Sequence, residues 1–190
     1  MDVAATVVTL PIVVPLIATL GAVSAIRFRC QPFFVQERYG VDEETLRVIK
    51  IRSLPRDFNS SLGKQHLDES EFCRWTTVLR KSHLDELPQV FNVLGGSMSL
   101  VGPRPMIKEV VEELTPEDRA IRARVKTGMT GPWQVSAAGT KPLHECPGLD
   151  KGYVAHASFR SDLKLLALTA LPALGRTGPE PEELTERLGW

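Results

Sequence analysis

From Val3 to Ile26 the chain carries no charge, and Asp2 and Arg27 bound this run. As a helix, its 24 residues would extend roughly 36 Å at about 1.5 Å each. A bilayer core measures about 30 Å, so the run is long enough to enter or cross one. No positively charged stretch precedes it, which disfavours a secretory signal peptide. Arg27 and Arg29 follow it closely, and the positive-inside tendency then places the rest of the chain in the cytoplasm. Pro11 and Pro15 lie four residues apart on one face of this helix. Each removes a backbone donor and presses on the carbonyl four residues back. Two topologies therefore stay open: a bent spanning helix, which a bilayer tolerates, or a helix-break-helix that enters and leaves by one leaflet.

The remainder of the chain suits one compact domain, because the whole sequence has only 190 residues. Hydrophobic residues make up 43 %, so a core can be built. Lys plus Arg number 23 and Asp plus Glu number 23, a formal net charge of zero. No global basic field exists to recruit nucleic acid, and any anionic partner must be held locally. Cys30, Cys73 and Cys146 are odd in number and widely spaced, which argues against a disulfide framework or a structural zinc site. Reduced cysteines in the cytoplasm are the simplest reading.

Two short strands are expected at 33–40 and 46–54, with a turn at Gly40. Leu46 and Val48 share a face with Lys50, and Ile49 and Ile51 lie on the other. Residues 55–70 read as a polar loop. The run 71–81 reads as a helix with Phe72, Trp75, Thr76 and Leu79 on one face. Pro88 suits the first turn of a further helix and Gly95-Gly96 its end, so Asp85 and Glu86 arrive just before a helix N-terminus. Residues 106–124 read as a charged helix, 126–134 as a glycine-rich turn region, and 163–174 as an apolar helix too short to span. The tail 176–190, with four Glu and two Pro, reads as disordered.

Several polar groups stand out among these elements. An acidic pair at a helix start is most simply a cap, since the helix dipole favours negative charge there. Here Arg80 precedes Asp85-Glu86, and Arg104 comes after it in a turn fixed by Pro103 and Pro105. Carboxylates together with guanidinium groups suit phosphoryl chemistry. Arginine clamps phosphate oxygens in pairs, and a carboxylate can attack phosphorus or hold a divalent cation. Lys50 and Arg52 fit phosphate binding as well as they fit charges that guard a strand edge. His83 reads either as a proton shuttle or as a solvated histidine at a helix start. Trp75 and Trp133 are read as packing residues before stacking platforms.

Leu84-Asp85-Glu86-Leu87-Pro88-Gln89, then Phe91-Asn92-Val93-Leu94-Gly95, then Ser97 through Pro105 form an ordered series that resembles the core of the bacterial sugar transferase family, the monotopic polyprenyl-phosphate phosphoglycosyl transferases. The resemblance extends back through Phe34, Gln36-Glu37-Arg38, Gly40 and Lys50-Ile51-Arg52-Ser53, and forward through Gly128-Met129-Thr130-Gly131 and Gln134-Val135. Weaker echoes continue in Leu149-Asp150, Tyr153, Ser158-Phe159 and Asp162-Leu163-Lys164.

The resemblance implies an α+β, helix-rich fold: a re-entrant membrane helix over 1–29, broken at Pro11 and Pro15, and a cytoplasmic catalytic domain over 30–175 with short strands and membrane-coplanar helices. It implies attack by Asp85 on the sugar-bearing phosphate of a UDP-sugar, loss of UMP, and transfer of the phosphosugar to polyprenyl (undecaprenyl) phosphate. Such a reaction opens exopolysaccharide, capsule, O-antigen or glycoprotein glycan synthesis. Glu86 would be the second acid, and Asp85 and Glu86 would hold Mg2+. Arg80, Arg104, Lys50, Arg52, Gln36, Arg38 and Gln134 would handle substrate and phosphate. The expected partners are the UDP-sugar, the polyprenyl phosphate lipid, the membrane and downstream glycosyltransferases, at the cytoplasmic face of the bacterial inner membrane.

The sequence also departs from the family's pattern. Family members usually have a basic pair just before the aspartate matching Asp2, often have Ser where His83 stands, and often have Gly and Arg where Ser136-Ala137-Ala138-Gly139 stands. The large N-terminal membrane bundle of longer members is not in this sequence. Two competing readings are a membrane-associated scaffold of the same fold without turnover, and a spanning transferase that works in one ternary step. Asp85, Glu86, Arg80 and Arg104 speak against the first, and the single apolar run against the second.

Overall fold

A computed structural model of the chain describes residues 2–40, 44–55, 72–142 and 146–190. Most of the loop expected at 55–70 lies outside the described residues. The apolar run forms helix α1, Asp2–Phe28, and is α-helical through both Pro11 and Pro15. No interruption of the helix appears at either proline, although each leaves a carbonyl one turn back without its usual donor. Only a narrow stripe of α1 is buried, at Thr6, Ile17, Gly21 and Ser24. Val8, Ile12 and Ile26 are among the most exposed apolar side chains of the chain. Among the described residues α1 alone is long and apolar enough to cross a membrane.

Both ends of α1 are tied to the rest of the protein. Ser99 Oγ donates to the Asp2 carboxylate at 2.5 Å, and Trp75 Nε1 donates to Ser24 Oγ at 2.9 Å. The indole of Trp75 thus serves as a polar anchor as well as a packing surface.

Strands β1, Phe33–Tyr39, and β2, Thr45–Ile51, form the expected antiparallel hairpin. Its register pairs Phe34 with Lys50, Gln36 with Val48 and Arg38 with Leu46. Because side chains alternate across a strand, these six share the inward face. Leu46 and Val48 on that face join Val93 and Met98 in a core cluster. Helix α2, Arg74–Lys81, begins three residues later than the expected start. A 3-10 helix over Leu84–Gln89 then runs directly into α3, Val90–Leu94. Asp85 and Glu86 therefore sit inside the first turn, not before it, and both are buried.

Strand β3, Ser99–Val101, pairs in parallel with β4, Gly128–Thr130, within the region expected to be only turn. The glycines explain the pairing. A Cβ on Gly102 would strike the Lys126 carbonyl, and one on Gly131 would strike the Gly102 carbonyl. Only bare backbones pass this closely.

The charged helix expected over 106–124 is two helices, α4, Lys108–Glu112, and α5, Pro116–Arg122. Pro116 supplies no N–H to continue the first, and Thr115 caps the second by accepting from Asp118 N. Beyond β4 come α6, Pro132–Val135, a 3-10 turn over Ala137–Thr140, α7, Pro147–His156, α8, Phe159–Leu168, and α9, Ala170–Ala173.

The tail corrects the expectation of disorder over 176–190. It forms α10, Pro181–Leu188, with Pro181 in its first turn. Leu184 and Leu188 join Val101, Val135, Leu149, Tyr153 and Leu165 in the largest core cluster. Trp190 meets Tyr153 edge-on at 6.1 Å and stacks on His156 at 6.3 Å. Four glutamates mask the relevant signal, two leucines four residues apart on one helical face.

Candidate active site

The inward face of the hairpin delivers Gln36, Arg38 and Lys50 to one place, the 3-10 helix delivers Asp85 and Glu86, and the turn after β3 delivers Arg104. Glu86 is the hub. Its Oε1 accepts from Lys50 Nζ at 2.9 Å and from Arg104 Nη2 at 2.5 Å, and its Oε2 accepts from Arg104 Nη1 at 3.1 Å. The Arg104 fork is thus bidentate, the strong geometry for a guanidinium on a carboxylate. The side chains of Lys50, Arg104 and Glu86 are each less than one-seventh exposed. Screening by water is weak there and charge interactions are correspondingly strong.

Burial pulls the Lys50 ammonium below the ordinary lysine range, with Glu86 pulling the other way. For Arg104 burial acts downward too, but the Glu86 carboxylate outweighs it and the guanidinium ends up held more firmly as a cation. Arg38 is lowered to about 10, first by burial and then by the Arg104 charge beside it. Arg38 and Arg104 remain cations near neutral pH. Lys50, Arg38 and Arg104 thus gather basic groups around Asp85 and Glu86, which suits an anionic guest.

Gln36 serves Arg38 through its side-chain oxygen, which accepts from Arg38 Nε at 3.1 Å and Nη2 at 2.5 Å. Arg38 Nη1 donates to the Pro105 carbonyl at 3.3 Å, joining the hairpin to the Pro-Arg-Pro turn. Arg104 also lies over the Trp133 ring, 5.7 Å from its centroid. His83 takes a left-handed backbone, φ 57°, and puts Nδ1 3.8 Å from Glu86 Oε2. Arg80, in the last turn of α2, stands over the Phe72 ring at 5.3 Å. Arg52 is engaged at the hairpin's base, where it donates to the Gln31 carbonyl at 3.0 Å and lies over Phe34 at 5.6 Å. Neither amide atom of Gln134 meets a protein partner, and the same holds for Trp133 Nε1. Buried polar atoms of this kind are satisfied by water or by a ligand.

Two further residues carry the site that sequence reasoning did not single out. Asn92 accepts from Ile49 N at 3.3 Å and donates to the Arg47 carbonyl at 2.7 Å, which fixes α3 against β2 beside Lys50. Arg122 donates to the Arg104 carbonyl at 2.6 Å. A lone Asn in an apolar segment and one Arg among many charges give no local signal, because their partners are distant in sequence.

A buried acid pair among basic side chains thus sits on an α+β domain led by a long apolar helix. The chain belongs to the bacterial sugar transferase family, whose pattern it matches over residues 1–176. It is 36 % identical over 157 residues to the uncharacterised sugar transferase EpsL of Bacillus subtilis (strain 168), covering 83 % of this chain and 77 % of EpsL. It is 35 % identical over 156 residues to a UDP-glucose:undecaprenyl-phosphate glucose-1-phosphate transferase of Xanthomonas campestris pv. campestris, covering 76 % of this chain and 32 % of that protein. It is 42 % identical over 100 residues to an undecaprenyl-phosphate galactose phosphotransferase of Salmonella typhimurium (strain LT2), covering 53 % of this chain and 21 % of that protein. The chain thus spans about a third or less of these last two relatives.

Proposed function

We propose that the chain transfers a sugar phosphate from a UDP-sugar to a polyprenyl phosphate, giving polyprenyl-diphosphate-sugar and UMP. The relatives named for this reaction support it. The observation that carries the mechanism is the commitment of Glu86 to Lys50 and Arg104. A carboxylate held by charge-assisted hydrogen bonds on both oxygens is a poor nucleophile. We assign the attack to its neighbour Asp85, as the family resemblance implies, and a supporting role to Glu86. An Asp85 oxygen bonds to the sugar-bearing phosphorus as the bond from that phosphorus to the UMP oxygen breaks, and UMP leaves with the electron pair. A polyprenyl phosphate oxygen then attacks the same phosphorus and releases the Asp85 carboxylate. The basic side chains of Arg38, Arg104 and Lys50 offset the charge of the pyrophosphate. Trp133 lies beside Arg104, and its Nε1 together with the Gln134 amide would give the donor polar contacts.

Magnesium fits this donor set. Of the two acids expected to hold it, Asp85 is the one that would offer an oxygen, because Lys50 and Arg104 already engage both Glu86 oxygens; the described residues contain no cluster of three or more potential ligands. One or two carboxylates completed by substrate phosphates is the usual arrangement for this ion. When bound, it would neutralise charge on the pyrophosphate.

The membrane arrangement belongs to the same proposal. Asp2 and Ser24 both bond to the catalytic domain, which supports a re-entrant placement with both ends of α1 at the cytoplasmic face, although the helix runs unbroken through Pro11 and Pro15. Phe159, Leu163 and Leu174 project from α8 and the turn after α9, which suits helices lying in the interface.

Incubation of solubilised protein with a UDP-sugar panel, without acceptor, tests the reaction. UMP should be released in a single burst, and a peptide containing residue 85 should gain one phosphosugar. Asp85→Asn should abolish both, and EDTA should suppress both until magnesium is restored. An adduct that persists in Asp85→Asn but vanishes in Glu86→Gln would reverse the two roles. No UMP from any donor would leave the scaffold reading standing.

A further inference from the structure

Two prolines fix φ at positions 103 and 105 but leave the peptide planes between them free to tilt. In this turn each successive carbonyl is captured. Pro103 O accepts from Gly128 N at 2.9 Å, Arg104 O from Arg122 Nη2 at 2.6 Å, Pro105 O from Arg38 Nη1 at 3.3 Å, and Met106 O from Tyr39 N at 2.9 Å. Arg122 differs from the other donors in having a buried carboxylate behind it. Its Nη1 forms an ion pair with Asp150 Oδ2, and the side chains are 11 % and 1 % exposed. Asp150 sits on α7 and Arg122 at the end of α5. A second pair, Lys151 Nζ to Asp118 Oδ1 at 2.8 Å, joins the same two helices. Burial lowers Arg122 to about 10, so it remains a cation at neutral pH. The α5–α7 pair thus reaches the active-site turn through one rigid, charged fork.

We infer that Arg122, braced by Asp150, is a positioning residue that fixes the Arg104 peptide and thereby aims the Arg104 guanidinium at the reacting phosphate. The inference rests on the role proposed above for Arg104. Catalytic geometry has to hold within about half an ångström, and a displacement of about 1 Å can cost a hundredfold in rate. Rotation of the Arg104 peptide would swing its long side chain by at least that much. The contact between this pair and the site runs from Arg122 to the Arg104 carbonyl, so its effect passes through the Arg104 backbone.

The test uses the full chain in detergent and reads single-turnover formation of the phosphosugar adduct from a UDP-sugar it accepts. Removing one partner alone would strand a buried charge, so the variant is Arg122→Met/Asp150→Leu, which removes both together. The adduct should form at least about tenfold more slowly, with the half-saturating donor concentration within about threefold of wild type. Arg122→Lys keeps the ion pair and loses the second N–H arm, and should show the same split if the double variant fails to fold. In an Arg104→Ala background either change should lose its effect, because the group being aimed is gone. An unchanged rate in a folded variant overturns the inference, as does an equal loss on top of Arg104→Ala, which would mark the pair as merely structural. A wild-type rate in Arg104→Ala itself would remove the underlying role of Arg104, and this inference with it.

Discussion

Lys50 shows how one buried side chain ties pH to activity. Burial moves its titration below the ordinary lysine value of 10.5, with Glu86 opposing the shift. The ammonium is therefore lost at lower pH than from an exposed lysine. As it is lost, Glu86 keeps the Arg104 clamp and the site loses one positive charge. Adduct formation should fall as pH rises toward 10.5, and Lys50→Arg should move that fall to higher pH because a guanidinium stays charged. For stability the sign reverses. Below 10.5 the unfolded chain binds the proton more readily than the folded one, so this group's contribution to stability rises with pH through that window. A pH–rate profile with an alkaline limb identical in wild type and Lys50→Arg would take Lys50 out of the site.

At the scale of elements, α1 determines how the protein meets a bilayer. Its apolar surface points outward while Asp2 and Ser24, near its two ends, bond to Ser99 and Trp75 of one domain. A straight spanning helix cannot keep both ends on one side of a membrane. In a single-cysteine variant, a thiol placed near residue 2 should react with an impermeant reagent only from the cytoplasmic side. Replacing Pro11 and Pro15 with Leu restores the missing donors and should shift part of the population toward labelling from outside. Outside-only labelling of the wild-type helix would refute the re-entrant arrangement. The hairpin illustrates the reverse case, an element visible in sequence. The sequence groups Leu46, Val48 and Lys50 on one face and puts the turn at Gly40, and the structure turns that face inward.

For the whole molecule, the C-terminal segment completes the core. Ala137 N donates to the Pro179 carbonyl at 2.8 Å, and Gly178 passes so close to the Val135 carbonyl that a Cβ would collide with it. Leu184 is 0 % exposed among residues from five other elements. Leu184→Ala should therefore cost about 2–5 kcal/mol, as truncation of a fully buried leucine does. Denaturant unfolding of the variant would measure this, and a midpoint equal to wild type would show that the tail packs too loosely to matter. The segment lies beyond residue 176, where the family match ends.

Local pattern determined the apolar helix, the hairpin and its facing, the Pro-Arg-Pro turn and the acidic pair. Each of these is written in neighbouring residues, as an uncharged run, an alternation or a proline pair. The family resemblance added Gln36, Arg38 and Gln134 to the site, which spacing alone does not mark. What only the tertiary structure decided involves partners far apart in the chain. Parallel pairing of β3 with β4 needs three glycines, at 102, 128 and 131, to meet backbone to backbone. Residues 106–124 became two helices because one proline outweighed a continuous helical pattern. The tail folded because two leucines found a core that four glutamates had hidden. Glu86 and Asp85 look equivalent in sequence, and only the fold brings Lys50, 36 positions before Glu86, and Arg104, 18 positions after it, onto the Glu86 carboxylate. Charge at a distance of a few ångströms sets the chemistry, and the chain's spacing along its length does not encode that distance.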